Sequence, residues 1–219
     1  DYISLRDAAS VKFVRELLPE KEVFETSDLA FSAPCDTSSF VNDIKNRYFV
    51  VCPKKIKGFS SDILVDFCNN VYEKYGFVAV FYPMHESEDE KMCERLSLRV
   101  KDSLLVGNKD TDIKGLLGKS EFSVCMRLHG VIFSLMEKCP MIGVSDDGKM
   151  SSFMASLGVS ECAFFPPEVS ATDLFVSAEN LIAGRADVRD SLSFEAAKHK
   201  ARAKEELLRL NGFIETYFS

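Results

Sequence analysis

The chain has no tryptophan, no C-x-x-C pair, no long apolar run and no surplus of positive charge. Each absence removes a class of protein. Lysine and arginine number 27 against 34 aspartates and glutamates, a formal net charge of −7. Nucleic-acid binders usually carry a net basic face, so that class is excluded; a basic pocket for a small anion can still sit inside an acidic protein. No apolar run approaches the roughly 18 residues that span a bilayer, and no signal-peptide pattern opens the sequence. The seven cysteines, at positions 35, 52, 68, 93, 125, 139 and 162, are odd in number and widely spaced. Zinc ligands come in tighter sets. The cysteines are therefore expected to be reduced, buried small hydrophobes of a cytoplasmic protein. No metal-ligand cluster, internal repeat or low-complexity tract is seen.

What is present is a chain of 219 residues, 46% hydrophobic and 28% charged. That suffices for one substantial core and is short for two full α/β domains. Eighteen phenylalanines supply aromatic core packing in place of tryptophan. The opening Asp1-Tyr2-Ile3-Ser4-Leu5 reads like the interior of a longer protein.

From about residue 48 to 183, short β-branched or aromatic runs alternate with amphipathic stretches. The strand candidates are Tyr48–Cys52, Phe77–Tyr82, Ser103–Val106, Phe122–Cys125, Met141–Val144 and Cys162–Phe165. Helix patterns lie between and after them at about 61–75, 86–99, 110–118, 128–138, 149–157 and 170–183. Ser60-Ser61-Asp62, Ser87 and Asp110-Thr111-Asp112 are plausible caps for the first three. Strands that are apolar on both faces suggest a parallel sheet covered on both sides. The alternation predicts an α/β fold, a doubly wound, mostly parallel sheet, with ligands beyond the carboxyl ends of the strands. Residues 1–47 differ: one strand at Tyr2–Leu5, a helix at about 8–18, a second strand near Val23–Phe24, then an irregular Ser32–Ser39 linker. They read as the end of a preceding domain, and 48–219 as a Rossmann-like domain with a terminal helix at about 190–217. That helix is charge-rich, and His199 within it reads as a solvated surface residue.

The strongest chemical signal follows the strand Phe122–Cys125. There the apolar run ends in Met126-Arg127-Leu128-His129-Gly130 and a helix pattern begins at once. A strand handing over to a helix N-terminus offers unpaired N–H groups and a favourable dipole to an anion. Arg127 adds a planar fork of donors for phosphate or carboxylate. His129 titrates near neutrality and can give or take a proton. Gly130 lets another chain or a ligand approach the backbone. By spacing alone, a capping histidine and a surface arginine fit the pattern as well. His85 lies at another strand end, as a sugar contact or a hydrogen-bonded loop residue. Asp146 and Asp147 suit a sugar or a turn with Gly148 equally.

The run Asp112–Val159 resembles the signature stretch of polysaccharide pyruvyl transferases. The resemblance rests on an apolar strand (Val124–Met126), Arg127-Leu128-His129-Gly130, an apolar helix (Val131–Met136), a Pro-led strand (Pro140–Val144) and the loop Asp146-Asp147-Gly148-Lys149. Leu5-Arg6-Asp7-Ala8-Ala9-Ser10 resembles the family's Arg-Asp-x-x-Ser element. Asp28 falls where the family often has an aspartate, and Tyr82-Pro83-Met84-His85 with Asp89 resembles its strand-end loop. Ser145 departs from the family, which often has an aromatic residue there.

The resemblance implies a Rossmann-like half of a GT-B-type enzyme, whose terminal helix packs back towards the first domain. It implies transfer of the enolpyruvyl unit of phosphoenolpyruvate to two hydroxyls of a saccharide acceptor, giving a cyclic ketal, with no metal or other cofactor. By that comparison Arg127 and His129 are catalytic, and Arg6, Leu128, Gly130, Lys149 and His85 contact substrate. A lipid-linked acceptor would bring the enzyme peripherally to a membrane. Two other readings stand beside it: a GT-B glycosyltransferase using a nucleotide sugar, although no Glu-x7-Glu-like spacing is evident, and a non-catalytic domain binding an anionic saccharide.

Overall fold

A computed structural model of the chain describes residues 2–34, 44–107 and 112–218. It divides into two compact units, Asp1–Pro34 with Phe194–Ser219, and Cys35–Ser193.

In the first unit, β1 (Ile3–Leu5) and β2 (Val23–Glu25) pair in parallel and are joined by α1 (Ala8–Leu17). Asp7 caps α1, accepting from the Ser10 N–H and hydroxyl, each at 2.8 Å. The last helix, α8 (Arg185–Phe218), enters this unit from Phe194 onward. Tyr2 packs between Phe24 and Phe213 and donates to buried Glu206 at 2.8 Å. Arg209 closes the group, on Glu206 at 2.9 Å and over the Phe24 ring. The division falls inside the terminal helix, whose outer part clusters with residues 1–34.

His199 corrects the sequence reading. It is half-buried, its ring stacks on Phe31 with centroids 4.8 Å apart, and Nδ1 lies 2.8 Å from the Ser27 hydroxyl. Charge-rich neighbours in sequence mislead here, because a helix presents each residue to a different side.

The second unit is built on a six-stranded, wholly parallel sheet in the order β5-β4-β3-β6-β7-β8. The strands are β3 (Tyr48–Cys52), β4 (Val78–Phe81), β5 (Leu104–Leu105), β6 (Ser123–Cys125), β7 (Met141–Val144) and β8 (Ala163–Phe164). Between and after them run α2 (Ser61–Tyr75), α3 (Glu86–Ser97), α4 (Ile113–Lys119), α5 (Leu128–Met136), α6 (Gly148–Ser156) and α7 (Ala171–Ala183). Central β3 is buried along its whole length, and alternate residues serve opposite faces. Tyr48, Val50 and Cys52 join Ile113, Leu116 and Leu117 of α4. Phe49 faces the other way, against Phe67 of α2 and Phe122. This two-sided burial is why the strand reads as continuous apolar sequence. The outermost strands, β5 and β8, are two residues each, which keeps the sheet edges short.

Local signals set most boundaries. The Ser60 hydroxyl accepts the Asp62 N–H to start α2, and Gly76, at φ +68°, ends it in the left-handed conformation. Asp112 caps α4, while Asp110 and Thr111 of the expected cap lie outside the described residues. α3 begins at Glu86 with His85 as its N-cap, so Ser87 is inside the helix and not its cap. Asp89, four residues on and buried, reaches back to accept the His85 N–H at 2.9 Å, which fixes the chain where it enters the helix.

The chain advances β3-α2-β4-α3-β5 to one side, then α4 carries it back across to β6, and β7 and β8 continue outward. The order reverses between β3 and β6, the place where doubly wound sheets open a crevice at the strands' carboxyl ends. Gly130, in the first turn of α5, fits closely there. A Cβ on it would stand 3.1 Å from Cys125 Sγ and 3.8 Å from Cys52 Cβ. The close approach that Gly130 permits is taken by its own sheet.

Two outcomes follow from these contacts. Gly130→Val should destabilise the second unit by about 1–3 kcal/mol through overpacking, read from urea unfolding. Full stability would mean α5 can shift away from the sheet. The His199 imidazole is held below its ordinary pKa, first by burial. The unfolded chain then takes up the proton first, so stability is whole above about pH 6.5 and declines as pH falls below it. His199→Gln should flatten that decline in urea midpoints; an equal slope in the variant would remove His199 as its cause.

Candidate active site

The carboxyl edge of the six-stranded sheet gathers the loops that follow β3, β4, β6 and β7. Arg127 lies two residues after β6 and is the N-cap residue of α5, in extended backbone conformation. Its guanidinium makes a parallel fork with Asp89, Nε to Oδ2 at 2.7 Å and Nη2 to Oδ1 at 2.8 Å. Nη2 also reaches Glu88 Oε2 at 2.6 Å. Asp89 and Glu88 belong to α3, which follows β4, whereas Arg127 follows β6; β3 lies between those strands. The bridge therefore passes over the carboxyl end of β3, at the switch point.

The electrostatics follow from that fork. Asp89 is 1% exposed, while the Glu88 side chain is 62% exposed, so one carboxylate is fixed and the other faces solvent. Hydrogen bonds donated to Asp89, and then to Glu88, hold the Arg127 pKa above its ordinary value, against the cost of burial. The contact with Arg127 in turn holds Glu88 below the usual carboxylate range, with His85, Arg127 and Lys54 adding favourable charge. Removing one member of a half-buried pair strands the other's charge and costs about 3–5 kcal/mol.

Lys54 is the nearby cation the sequence reading passed over. It follows central β3, its backbone N–H meets Met126 Sδ at 3.4 Å, and its ammonium stands 4.0 Å from Asp146. The signal was available: Lys54-Lys55 directly follows the most apolar strand, beside the strand that leads to Arg127. The pairing of Arg127 with Asp89 had no local signal, because the partners stand 38 positions apart.

The remaining expected residues divide clearly. Leu128, half-buried, and His129, exposed, open α5 with the buried Gly130 behind them. The His129 ring lies 6.2 Å from Phe133. Arg127, the N-cap residue, makes no side-chain cap hydrogen bond to α5, and the positive end of the helix dipole faces the same edge as Arg127. His85 is exposed, its Nδ1 is 3.3 Å from Ser87 Oγ, and its N–H shares Asp89 with Arg127. Lys149 is exposed in the first turn of α6, after the neighbouring strand β7. Asp147 resolves into a cap, accepting the Lys149 N–H at 3.0 Å, whereas Asp146 stays exposed towards Lys54. Ser145, in place of an aromatic residue, is buried and its hydroxyl accepts the Asp147 N–H. Arg6 belongs to the first unit, where it is ion-paired with Asp28.

Among the described residues, no helix is long and apolar enough to cross a membrane. Six cysteines are free and buried; Cys35 lies outside the described residues.

Among solved structures, the chain is similar to Os79 from O. sativa in complex with U2F and trichothecene. The TM-score is 0.63 at 11% identity, covering 96% of this chain and 54% of that one. It is also similar to the spinosyn rhamnosyltransferase SpnG, with a TM-score of 0.59 at 10% identity over 82% of this chain and 49% of that one. At such identities the likeness speaks for the fold, which is that of GT-B glycosyltransferases, and the chain spans about half the length of these structures. No curated protein matches by sequence. The family description that matches is polysaccharide pyruvyl transferase, over residues 1–148. That stretch runs from β1, through Arg127-Leu128-His129, to the first residue of α6, and the chain belongs to the polysaccharide pyruvyl transferase family.

Proposed function

We propose that the protein transfers the pyruvyl unit of phosphoenolpyruvate to two hydroxyls of a saccharide acceptor, in the synthesis of a cell-surface or exported polysaccharide. One observation carries the reading: Arg127 stands at the N-terminus of α5, at the switch point, with His129 two positions on. A substrate bearing a phosphate and a carboxylate needs a fixed fork of donors and a favourable dipole, and both lie at this edge.

The chemistry assigns roles. Protonating the methylene carbon of phosphoenolpyruvate gives the neighbouring carbon oxocarbenium character, and a sugar hydroxyl attacks there. Phosphate leaves as the second hydroxyl closes the ketal. Of the two hydroxyl protons, one is balanced by the new methyl group and the other by the released phosphate. His129 is the general acid/base for these transfers. Arg127 holds the anion through developing charge. Lys149, with Lys54 across the edge, neutralises the departing phosphate. His85 contacts the sugar, and Leu128 and Gly130 shape the loop that presents Arg127 and His129. The free, buried cysteines fit a reducing cytoplasm, and a lipid-linked acceptor would draw the enzyme to a membrane surface.

A nucleotide-sugar glycosyltransferase is the competing reading, favoured by the GT-B fold and by Os79, whose solved complexes include one with UDP. The deciding assay is phosphate release from phosphoenolpyruvate by the intact protein, over lipid-linked and nucleotide-linked sugars. Arg127→Lys keeps the charge that Asp89 requires but loses the fork, and should lower turnover by about 10²–10³-fold. His129→Gln should lower it by about 10²–10⁴-fold with an unchanged circular dichroism spectrum. Wild-type turnover in either variant removes that residue from the reaction. UDP-sugar consumption without phosphate release from phosphoenolpyruvate would give the case to the glycosyltransferase.

A further inference from the structure

We propose that Glu88 is a displaceable surrogate for the substrate's anion: its carboxylate occupies the outer edge of Arg127 in the free protein and yields it to the incoming phosphate or carboxylate. Buried Asp89 stays in place and keeps that edge aimed over the end of β3. The inference rests on the site reading above and adds a residue that sets which anions the site accepts.

The geometry separates the two carboxylates. Asp89 engages Nε and Nη2 in a parallel fork, is 1% exposed, and is tied again by the His85 N–H at 2.9 Å. Moving it would strand a buried charge. Glu88 makes one contact to the guanidinium, at 2.6 Å on Nη2, from a side chain that is 62% exposed. An exposed pair of this kind adds little net stability, because solvent screens it and a long side chain must be immobilised. Loss of Glu88 from Arg127 therefore leaves the Asp89 fork intact and a guanidinium edge open beside the N-terminus of α5.

The consequence is selectivity. Arg127 already faces two carboxylates, so an anion enters only by offering more than Glu88 does. A singly charged carboxylate is an even exchange. A phosphate, with more charge and more acceptor oxygens, is favoured. The cost of displacing Glu88 is common to every anion, so weakly held simple carboxylic acids fall below useful affinity while a phosphate, which offers more, stays bound.

Calorimetric titration of the protein with inorganic phosphate, pyruvate and UDP, at fixed ionic strength, tests this. Glu88→Gln should bind inorganic phosphate about fivefold or more tighter than wild type, the factor that corresponds to roughly 1 kcal/mol. Pyruvate, the weaker competitor, should gain at least as much. Asp89→Asn should weaken phosphate binding; since that variant can fail to fold, Glu88→Gln carries the test. Equal or weaker phosphate affinity in Glu88→Gln, or no phosphate binding by either protein, overturns the inference. The pyruvyl-transfer reading fails separately. If Glu88→Gln tightens phosphate and UDP but phosphoenolpyruvate is never consumed, the surrogate role stands and the reaction does not. If phosphoenolpyruvate is consumed with the same KM in both proteins, the surrogate role falls alone.

Discussion

A carboxylate shut away from water must be met by a cation or by N–H donors, and Asp89 meets the Arg127 guanidinium and the His85 N–H. Its partner cation comes from the far side of the central strand. Because Arg127 leaves β6 while Asp89 sits after β4, satisfying this one charge ties together two loops and spans the end of β3. The start of α3, the aim of the guanidinium and the exposed position left to Glu88 all follow from it. A surface arginine would be a mobile donor. Held on a buried aspartate, it is a preorganised one, which is what an anion-handling site requires.

The same edge shows how a parallel sheet divides structural and chemical work. The glycine of the signature run packs against Cys125 and Cys52, bringing the first turn of α5 down onto the sheet. Arg127, two residues beyond the strand, and His129, the second residue of the helix, are left at the rim. Asp147 caps α6 on the adjacent loop, and Asp7 with Ser10 caps α1 in the first unit. Half of what looks like a chemical motif in sequence is therefore helix-start geometry. The Arg-Asp-x-x-Ser element is the clearest example: Asp7 and Ser10 serve the cap, and Arg6 pairs with Asp28.

Legibility in the sequence tracked the range of the interaction. β3, α2 and β7 could be read to the residue, because each is bounded by an apolar run, a capping serine or a left-handed glycine within a few positions. The doubly wound order followed from alternation and both-face burial. What escaped were features fixed by distant partners. Ser87 reads as a cap, but α3 already opens at Glu86, beside an Asp89 held by Arg127 from 38 positions away. His199 looked solvated because Phe31 and Ser27 lie far off in sequence. The placement of Arg127 and His129 at the start of α5 was legible because strand-to-helix handover is a local pattern; Lys54 shares the switch point but lacks that punctuation.

The most direct measurement is a double-mutant cycle on unfolding free energy with Arg127→Met, Asp89→Asn and the pair. An ion pair that organises this edge should give a coupling energy of about 2–3 kcal/mol, at the upper end for residues in contact. Additivity within about 0.5 kcal/mol would mean the two side chains do not depend on each other, and the constraint placed over the end of β3 would be absent.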